Sequence, residues 1–174
     1  MADCPPIDLA QAIKTAFDAG VAASDFTTPF DCRCGIVFEE KLPELPGANL
    51  AVKRPLVDIC VQPNPKIDLI GRPRYGHVVP TRIGVRQVLS AACYREDGTI
   101  DLEKIRPQLT LFYQLMKYIM PNADHRDGIT LATVDAAWLP PLEVVFAYHP
   151  DLLETTKQYC GIFQATFAMR EAAV

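Results

Sequence analysis

Apolar residues recur at helical spacing in two segments of the chain. In the first segment, which follows Pro5 and Pro6, they return every three or four residues, as on one side of an amphipathic helix. The members of this stripe are Leu9, Ile13, Ala16, Phe17 and Val21. We expect the helix to end at Gly20 or at the Ser24–Asp25 pair, where turn-forming residues replace the stripe.

The second helical segment lies between residues 99 and 122. Thr99 to Asp101 offers capping side chains. The apolar stripe that follows comprises Leu102, Ile105, Leu109, Phe112, Leu115 or Met116, and Ile119. Pro107 lies inside this stripe, so it either kinks the helix or marks the first turn of a helix that begins near Arg106.

Other segments have the two-residue period of β-strands. Alternation predicts a strand from Arg33 to Glu39 and places Cys32 and Cys34 on one face of it. Leu56 to Val61 is almost continuously apolar, which is typical of a strand in the centre of a sheet. The remaining predicted elements are strands at Arg82–Leu89, Thr130–Trp138, Leu142–Tyr148 and Gly161–Met169, and a short helix after His149 with Asp151 as its cap.

The order of these elements predicts one α+β domain that spans residues 1–174. We expect a mixed, mostly antiparallel β-sheet with two main helices packed on it. The strands at Leu56–Val61 and Arg82–Leu89 should form an antiparallel hairpin with a very long tip, a hairpin arm at residues 62–81.

The predicted arm is longer than a compact domain requires. Most connections within domains have about 4–6 residues, and much longer ones are usually functional or disordered. This one is stiffened by four prolines, and it carries apolar residues that water does not favour. Its candidate contact residues are Lys66, Ile70, Arg72, Arg74 and Tyr75. A stiff, apolar and cationic arm suggests contact with another protein surface, and therefore assembly rather than catalysis.

Two further arginines follow the arm. Arg82 and Arg86 are four residues apart on a predicted strand, so they share one face, and Gly84 between them leaves that face open. One interpretation is a solvated strand surface. The other is pairing with carboxylates of an identical neighbour or of a partner protein, which the planar arginine fork favours.

Composition and charge exclude several classes of protein. The formal charge of −4 argues against a nucleic-acid binder held by bulk positive charge. The sequence contains no run of about 18 apolar residues, so it predicts no membrane-spanning helix. The amino terminus does not resemble a secretory signal. We therefore expect the six cysteines to be free thiols in a reducing cytosol, several of them small core residues.

Motifs for catalysis or metal binding are not evident. Cys32-x-Cys34 has a spacing of one and no second pair downstream, unlike zinc sites. His77, His125 and His149 lack the sequence context of a catalytic base and are interpreted as surface or turn residues. We expect no catalytic, cofactor-binding or metal-binding residue, and hence no enzyme and no cofactor.

The order of segments resembles a family of proteins from tailed bacteriophages. These are the tail terminators and tail-completion proteins of the head–tail joining region. The resemblance covers the chain from about residue 7 to about residue 170. It rests on the first amphipathic helix, the helix after Asp101 and the runs Leu56–Pro63, Gly71–Arg74, Arg82–Gln87, His149–Glu154 and Cys160–Phe167.

The resemblance implies an α+β virion protein of the neck or tail, assembled in the host cytoplasm. Subunits of this family close into a ring, usually a hexamer, which terminates the tail tube and joins it to the head-completion proteins. The partners would be further copies of the chain, a head-completion or neck protein and the tail tube protein. Genomic DNA would pass through the lumen without specific binding, and no membrane would be involved.

Other functions compatible with the sequence are another neck adaptor or connector, a small cytosolic enzyme, and a binding module. An enzyme would require a deep pocket lined by titratable groups with shifted pKa values. A binding module would be a monomer or dimer, whereas a connector would form rings.

Overall fold

The computed structural model describes residues 4–36, 54–61, 66–69, 75–122 and 128–170. The helices are α1 (Pro5–Ala23), α2 (Arg106–Ile119) and α3 (Pro150–Thr155). The strands are β1 (Asp31–Ile36), β2 (Leu56–Val61), β3 (Lys66–Leu69), β4 (Tyr75–Val88), β5 (Ala136–Phe146) and β6 (Gln158–Arg170). Single 3-10 turns are formed by Ala91–Cys93 and Leu102–Ile105.

The six strands form one mixed sheet. Five of them lie in the order β1-β2-β4-β6-β5, and β3 pairs with the first residues of β4. Only the β1–β2 pair is parallel among the described strands, and the other pairs are antiparallel. This architecture confirms the predicted α+β domain with a mostly antiparallel sheet and two long helices.

The two long helices cover one face of the sheet, which we call the helix face. α1 lies against β1 and β2, whereas α2 lies against β4 and β6. Their apolar stripes and the inward residues of the strands form one continuous core. Its fully buried members include Ile13, Phe17, Val57, Ile59, Ile83, Phe112, Leu115 and Phe163. The opposite side of the sheet, the outer face, carries the alternate residues of the same strands.

An aromatic cluster joins the two helices at one end of the domain. Phe17 of α1 packs edge-on against Phe26, Phe30 and Tyr118, with ring centroids 6.0–6.4 Å apart. The hydroxyl of Tyr118 on α2 also donates a hydrogen bond to the Ala16 carbonyl at 3.2 Å. Because edge-to-face pairs stabilise beyond their buried area, this cluster fixes α1 and α2 relative to each other.

Several local predictions agree with the structure. β2 has the predicted bounds and is buried on both faces. α1 ends at Ser24, which adopts a left-handed conformation with a φ of 64°. Of the two interpretations of Pro107, the second holds, because α2 begins at Arg106 and a 3-10 turn capped by Asp101 precedes it.

The predicted start of the third strand at Arg82 is wrong. β4 begins at Tyr75, because β6 pairs with it from Val88 back to Gly76. Pro80 is tolerated within β4, since the described pairings with β2 and β3 stop at Thr81 and Val78. β6 likewise begins at Gln158 rather than Gly161.

Other boundaries differ for related reasons. β1 starts at Asp31 rather than Arg33, and its predicted end at Glu39 lies outside the described residues. The two strands predicted around Pro140–Pro141 are one edge strand, β5, which pairs with β6 on both sides of an irregularity at this cis bond. An edge strand accommodates prolines because the backbone groups on its outer side form no hydrogen bonds with another strand.

The predicted cap of the short helix is also wrong. His149 occupies the N-cap position of α3 without a side-chain capping bond, and Asp151 lies in the first turn instead. An acid in the first turn is favourable through the helix dipole, so the residue suits this position without capping it.

Gly161 of β6 is expected to be intolerant of a side chain. An alanine Cβ there would lie 2.6 Å from the Ala147 carbonyl oxygen and 3.0 Å from the Phe112 ring. Because a backbone oxygen cannot move aside freely, Gly161→Ala should lower the free energy of unfolding by about 3 kcal/mol. Urea unfolding followed by the fluorescence of the single Trp138 measures the loss.

Gly98→Ala provides the matched control. Gly98 has a φ of +81°, but no atom of the described residues lies within 4 Å of its Cβ position. Its replacement should cost only the left-handed backbone strain, about 1 kcal/mol. Equal losses at the two positions would show that the space around Gly161 can relax.

Candidate functional site on the outer face of the sheet

The outer face carries a charged residue at its centre. Asp58 of β2 is 1% exposed, although its neighbours in the strand are apolar. The parallel register places Arg33 of β1 beside Asp58, and the antiparallel register places Gly84 of β4 on its other side. Arg86 lies two residues further along β4, on the same face as Gly84. Two arginines therefore flank one buried carboxylate.

Both carboxylate oxygens of Asp58 are occupied. Arg33 Nε donates a hydrogen bond to Oδ1. Arg86 Nε donates to Oδ2 at 2.7 Å, and Arg86 Nη2 forms an ion pair with the same oxygen. The network joins β1, β2 and β4 across the sheet. Because a buried carboxylate is costly without such partners, the three residues stabilise one strand register.

This arrangement corrects one interpretation of the sequence. Arg86 was expected to contact a neighbouring subunit or to be solvated, but it is 6% exposed and pairs with Asp58 of its own chain. Sequence periodicity could not show this, because the carboxylate comes from another strand. The available signal was an acid inside an otherwise apolar central strand, which requires a cationic partner when buried.

The other predicted contact residues fall in three groups. Arg82 is half-buried on the outer face, in one cross-strand row with Cys60, Gln164 and Glu143. Lys66 and Tyr75 lie at opposite ends of the β3–β4 pairing, each facing a residue of the other strand. The structure does not bring them beside Arg82, because Val79 to Thr81 separate Arg82 from Val78, the partner of Lys66, and Tyr75 is further away along β4. The remaining predicted contact residues, Ile70, Arg72 and Arg74, lie outside the described residues.

The predicted arm is an extension of the sheet. β3 and the start of β4 form a hairpin beyond the end of β2, and β6 follows β4 on its other side as far as Gly76. At the base of this extension, Val79 and Thr81 are fully buried, so the last residues of the predicted arm belong to the core. Towards its tip, β3 pairs only with β4, so no described strand lies on the other edge of β3.

The cysteines are distributed over both faces. Cys32 and Cys34 share the helix face of β1 and pack against the core, as the alternation predicts. The Cys34 thiol also donates a hydrogen bond to the Ala10 carbonyl at 3.2 Å. Cys60 and Cys160 are buried on the outer face, and burial raises the pKa of each thiol to about 12. They are therefore protonated, neutral neighbours of the arginines.

The described residues contain no group of three side chains arranged to bind a metal ion. Within the same ranges, none of the helices has the length and apolar character needed to cross a bilayer. A scan against protein-family models finds no match for this chain, and a search of curated proteins finds none either. The interpretation of the site therefore depends on its own residues.

Asp58→Asn should strongly lower the free energy of unfolding. The substitution removes the counter-charge of the buried Arg86 guanidinium and one partner of Arg33, and breaking a buried ion pair in this way costs about 3–5 kcal/mol. Asp18→Asn removes the carboxylate of the exposed Lys14–Asp18 pair and should cost no more than about 0.5 kcal/mol. Urea unfolding of both variants makes the comparison. Similar losses would contradict a stabilising role for the outer-face network.

Thiol reactivity should follow burial. The thiolate is the reactive form, so at pH 8 the high pKa values of Cys60 and Cys160 leave them almost wholly protonated and unreactive. Exposed Cys4 should be alkylated first in the native protein, and the other two only after unfolding. Peptide mass spectrometry after timed alkylation gives the order, and early labelling of Cys60 would disprove it.

Proposed function

We propose that the protein is a structural component of the bacteriophage head–tail interface. In this proposal it forms a ring, usually of six copies, that terminates the tail tube and joins it to the head-completion proteins. The observation that carries the proposal is the β3–β4 hairpin, which extends the sheet and has a second strand edge with no partner among the described strands. The order of segments that resembles tail terminators and tail-completion proteins supports the same function.

An open strand edge is suited to assembly. Its unpaired N–H and C=O groups can pair with a strand of another chain, and natural proteins usually block such edges. β5, at one end of the sheet, is blocked by Pro140–Pro141 and two register shifts. β3 has neither a proline nor a register shift within its described residues; it is short, however, and includes Lys66 and Asp68, which restrict pairing to a strand of complementary charge. The contrast supports a contact at the hairpin and none of the same kind at β5.

A contact of this kind is heterologous. The hairpin edge of one copy meets a different surface on the next copy. Such contacts close into a ring when a whole number of copies completes one full turn. A ring would use one hairpin per subunit and would need no cofactor. In the proposed virion, DNA passes through the lumen without specific binding, and the net charge of −4 is compatible with that passage.

A neck adaptor or another connector would use the same ring architecture at a different level of the neck. The hairpin supports these alternatives equally, and reconstitution with isolated tail tubes separates them. A terminator binds the end of the tube, whereas an adaptor binds only once the head-completion protein is present.

Deletion of residues 66–75 tests the proposal. The deletion removes β3 and its edge, but the core residues of β4 begin at Val79, and β4 keeps its pairing with β6. We expect the intact protein to form rings at high concentration or with tail tubes, and the variant to remain a monomer with a nearly unchanged melting temperature. Light scattering after size-exclusion chromatography and negative-stain microscopy provide the measurement.

The control is Glu103→Gln combined with Arg106→Gln. These substitutions remove an exposed ion pair next to α2, far along the chain from the hairpin, and should leave assembly unchanged. Rings formed by the deletion variant would show that the hairpin is not the contact. Failure of the intact protein to assemble, alone and with tail tubes, would count against a ring-forming connector altogether.

A further inference from the structure

Arg82 lies beside the buried network but outside it. The register of β2 and β4 places Arg82 opposite Cys60, and the register of β4 and β6 places it opposite Gln164. Asp58 is two residues from Cys60 on the same face of β2. Because diagonal neighbours of this kind are within reach of a long side chain, Arg82 is a third arginine next to one carboxylate.

The carboxylate of Asp58 does not pair with Arg82. Arg33 and Arg86 occupy its two oxygens. None of the ion pairs among the described residues includes Arg82. The Arg82 Nε is itself buried, and within the described part of the chain it meets no hydrogen-bond acceptor. Arg82 thus lacks a carboxylate partner among the described residues, whereas Arg86 is paired with Asp58.

The described neighbours of Arg82 in its cross-strand row supply no counter-charge in contact with it. Cys60 is buried, and its thiol is neutral because burial raises its pKa to about 12. Gln164 is uncharged, and Glu143, the next residue in the row, is two strands away and exposed. A half-buried guanidinium with an unused Nε–H favours an anion from outside, since desolvated charges require a partner.

We propose that Arg82 is the principal contact of an oxyanion-binding site on the outer face, and that its ligand is a carboxylate of another protein chain. The planar guanidinium supplies Nε–H together with an Nη–H, the two donors that a carboxylate accepts side by side. Arg33 and Arg86 contribute positive potential without giving up Asp58. Their pairing with Asp58 also holds the strands that position Arg82.

A nucleic-acid backbone fits this site less well than a single carboxylate. A polyanion needs several free cations in a row, whereas only Arg82 is unpaired among the described outer-face arginines that face Asp58. Exposed Asp31 and Glu143 lie on the outer face of the strands at its two ends, β1 and β5, and would repel adjacent phosphates. A single acidic side chain can reach Arg82 between them.

The site does not depend on the proposed ring. It follows from the surroundings of Arg82 alone, and a monomer can be tested for it. The hairpin deletion therefore tests the ring and the Arg82 experiment tests the oxyanion site, and a negative result in one does not affect the other.

The test uses the ¹⁵N-labelled full chain and the Nε–H resonance of Arg82, assigned by its loss in Arg82→Lys. Titration with a hexaglutamate peptide should shift this resonance saturably. The resonance of Arg106, which is exposed and paired with Glu103, should move only slightly and without saturation. Hexaglutamine peptide with an amidated C-terminus should leave both resonances unchanged, because it has the same length and no carboxylate.

Arg82→Lys keeps the charge and loses the planar fork. The side-chain amide of the neighbouring Gln164 reports binding in this variant, and we expect at least about fivefold weaker affinity for hexaglutamate. The absence of a saturable Arg82 shift, an equal shift at Arg106, or unchanged affinity in Arg82→Lys would each overturn the site. Saturation by duplex DNA at lower concentration than by hexaglutamate would overturn the carboxylate assignment in favour of phosphate.

Discussion

The antiparallel ladder between β4 and β6 supports the rest of the structure. It runs without a register shift from Gly76–Arg170 to Val88–Gln158, and every other described strand pairs with β4 or β6, directly or through β2. α2 packs over this ladder, and Phe112 rests against Phe163 at 5.4 Å between ring centroids. The hairpin projects from the same ladder. Both the core and the extended edge therefore depend on one long backbone pairing.

The two faces of this sheet are stabilised by different physical effects. The helix face buries apolar stripes from α1 and α2, and its stability comes from removing that surface from water. The centre of the outer face instead buries an aspartate that is held by arginines of two neighbouring strands. Apolar packing tolerates small displacements of the strands, whereas the ion pairs of Asp58 can form in only one strand register. The network therefore adds specificity to a sheet whose stability comes mainly from the other face.

The two proposed contacts, the hairpin edge and Arg82, would use different chemistry. The edge of β3 offers backbone hydrogen bonds, which any extended strand can accept, so it provides affinity with little selectivity. Arg82 offers a single charge in a half-buried position, which distinguishes acidic from neutral side chains. A connector that must meet a neighbouring copy at a defined angle has a use for both kinds of contact.

Periodicity along the chain was enough to predict the helices, the central position of β2 and the α+β class, because it reports which side of each element is buried. A first-turn position for Pro107 was one of the two alternatives that the sequence offered, because proline restricts helices through its own backbone geometry. Three features could be read only from the folded chain: β4 begins at Tyr75, β5 continues through Pro140–Pro141, and Arg86 is buried against Asp58 of its own chain. Each of these depends on a partner strand distant in sequence: β6 supplies the ladders for β4 and β5, and β2 supplies the carboxylate for Arg86.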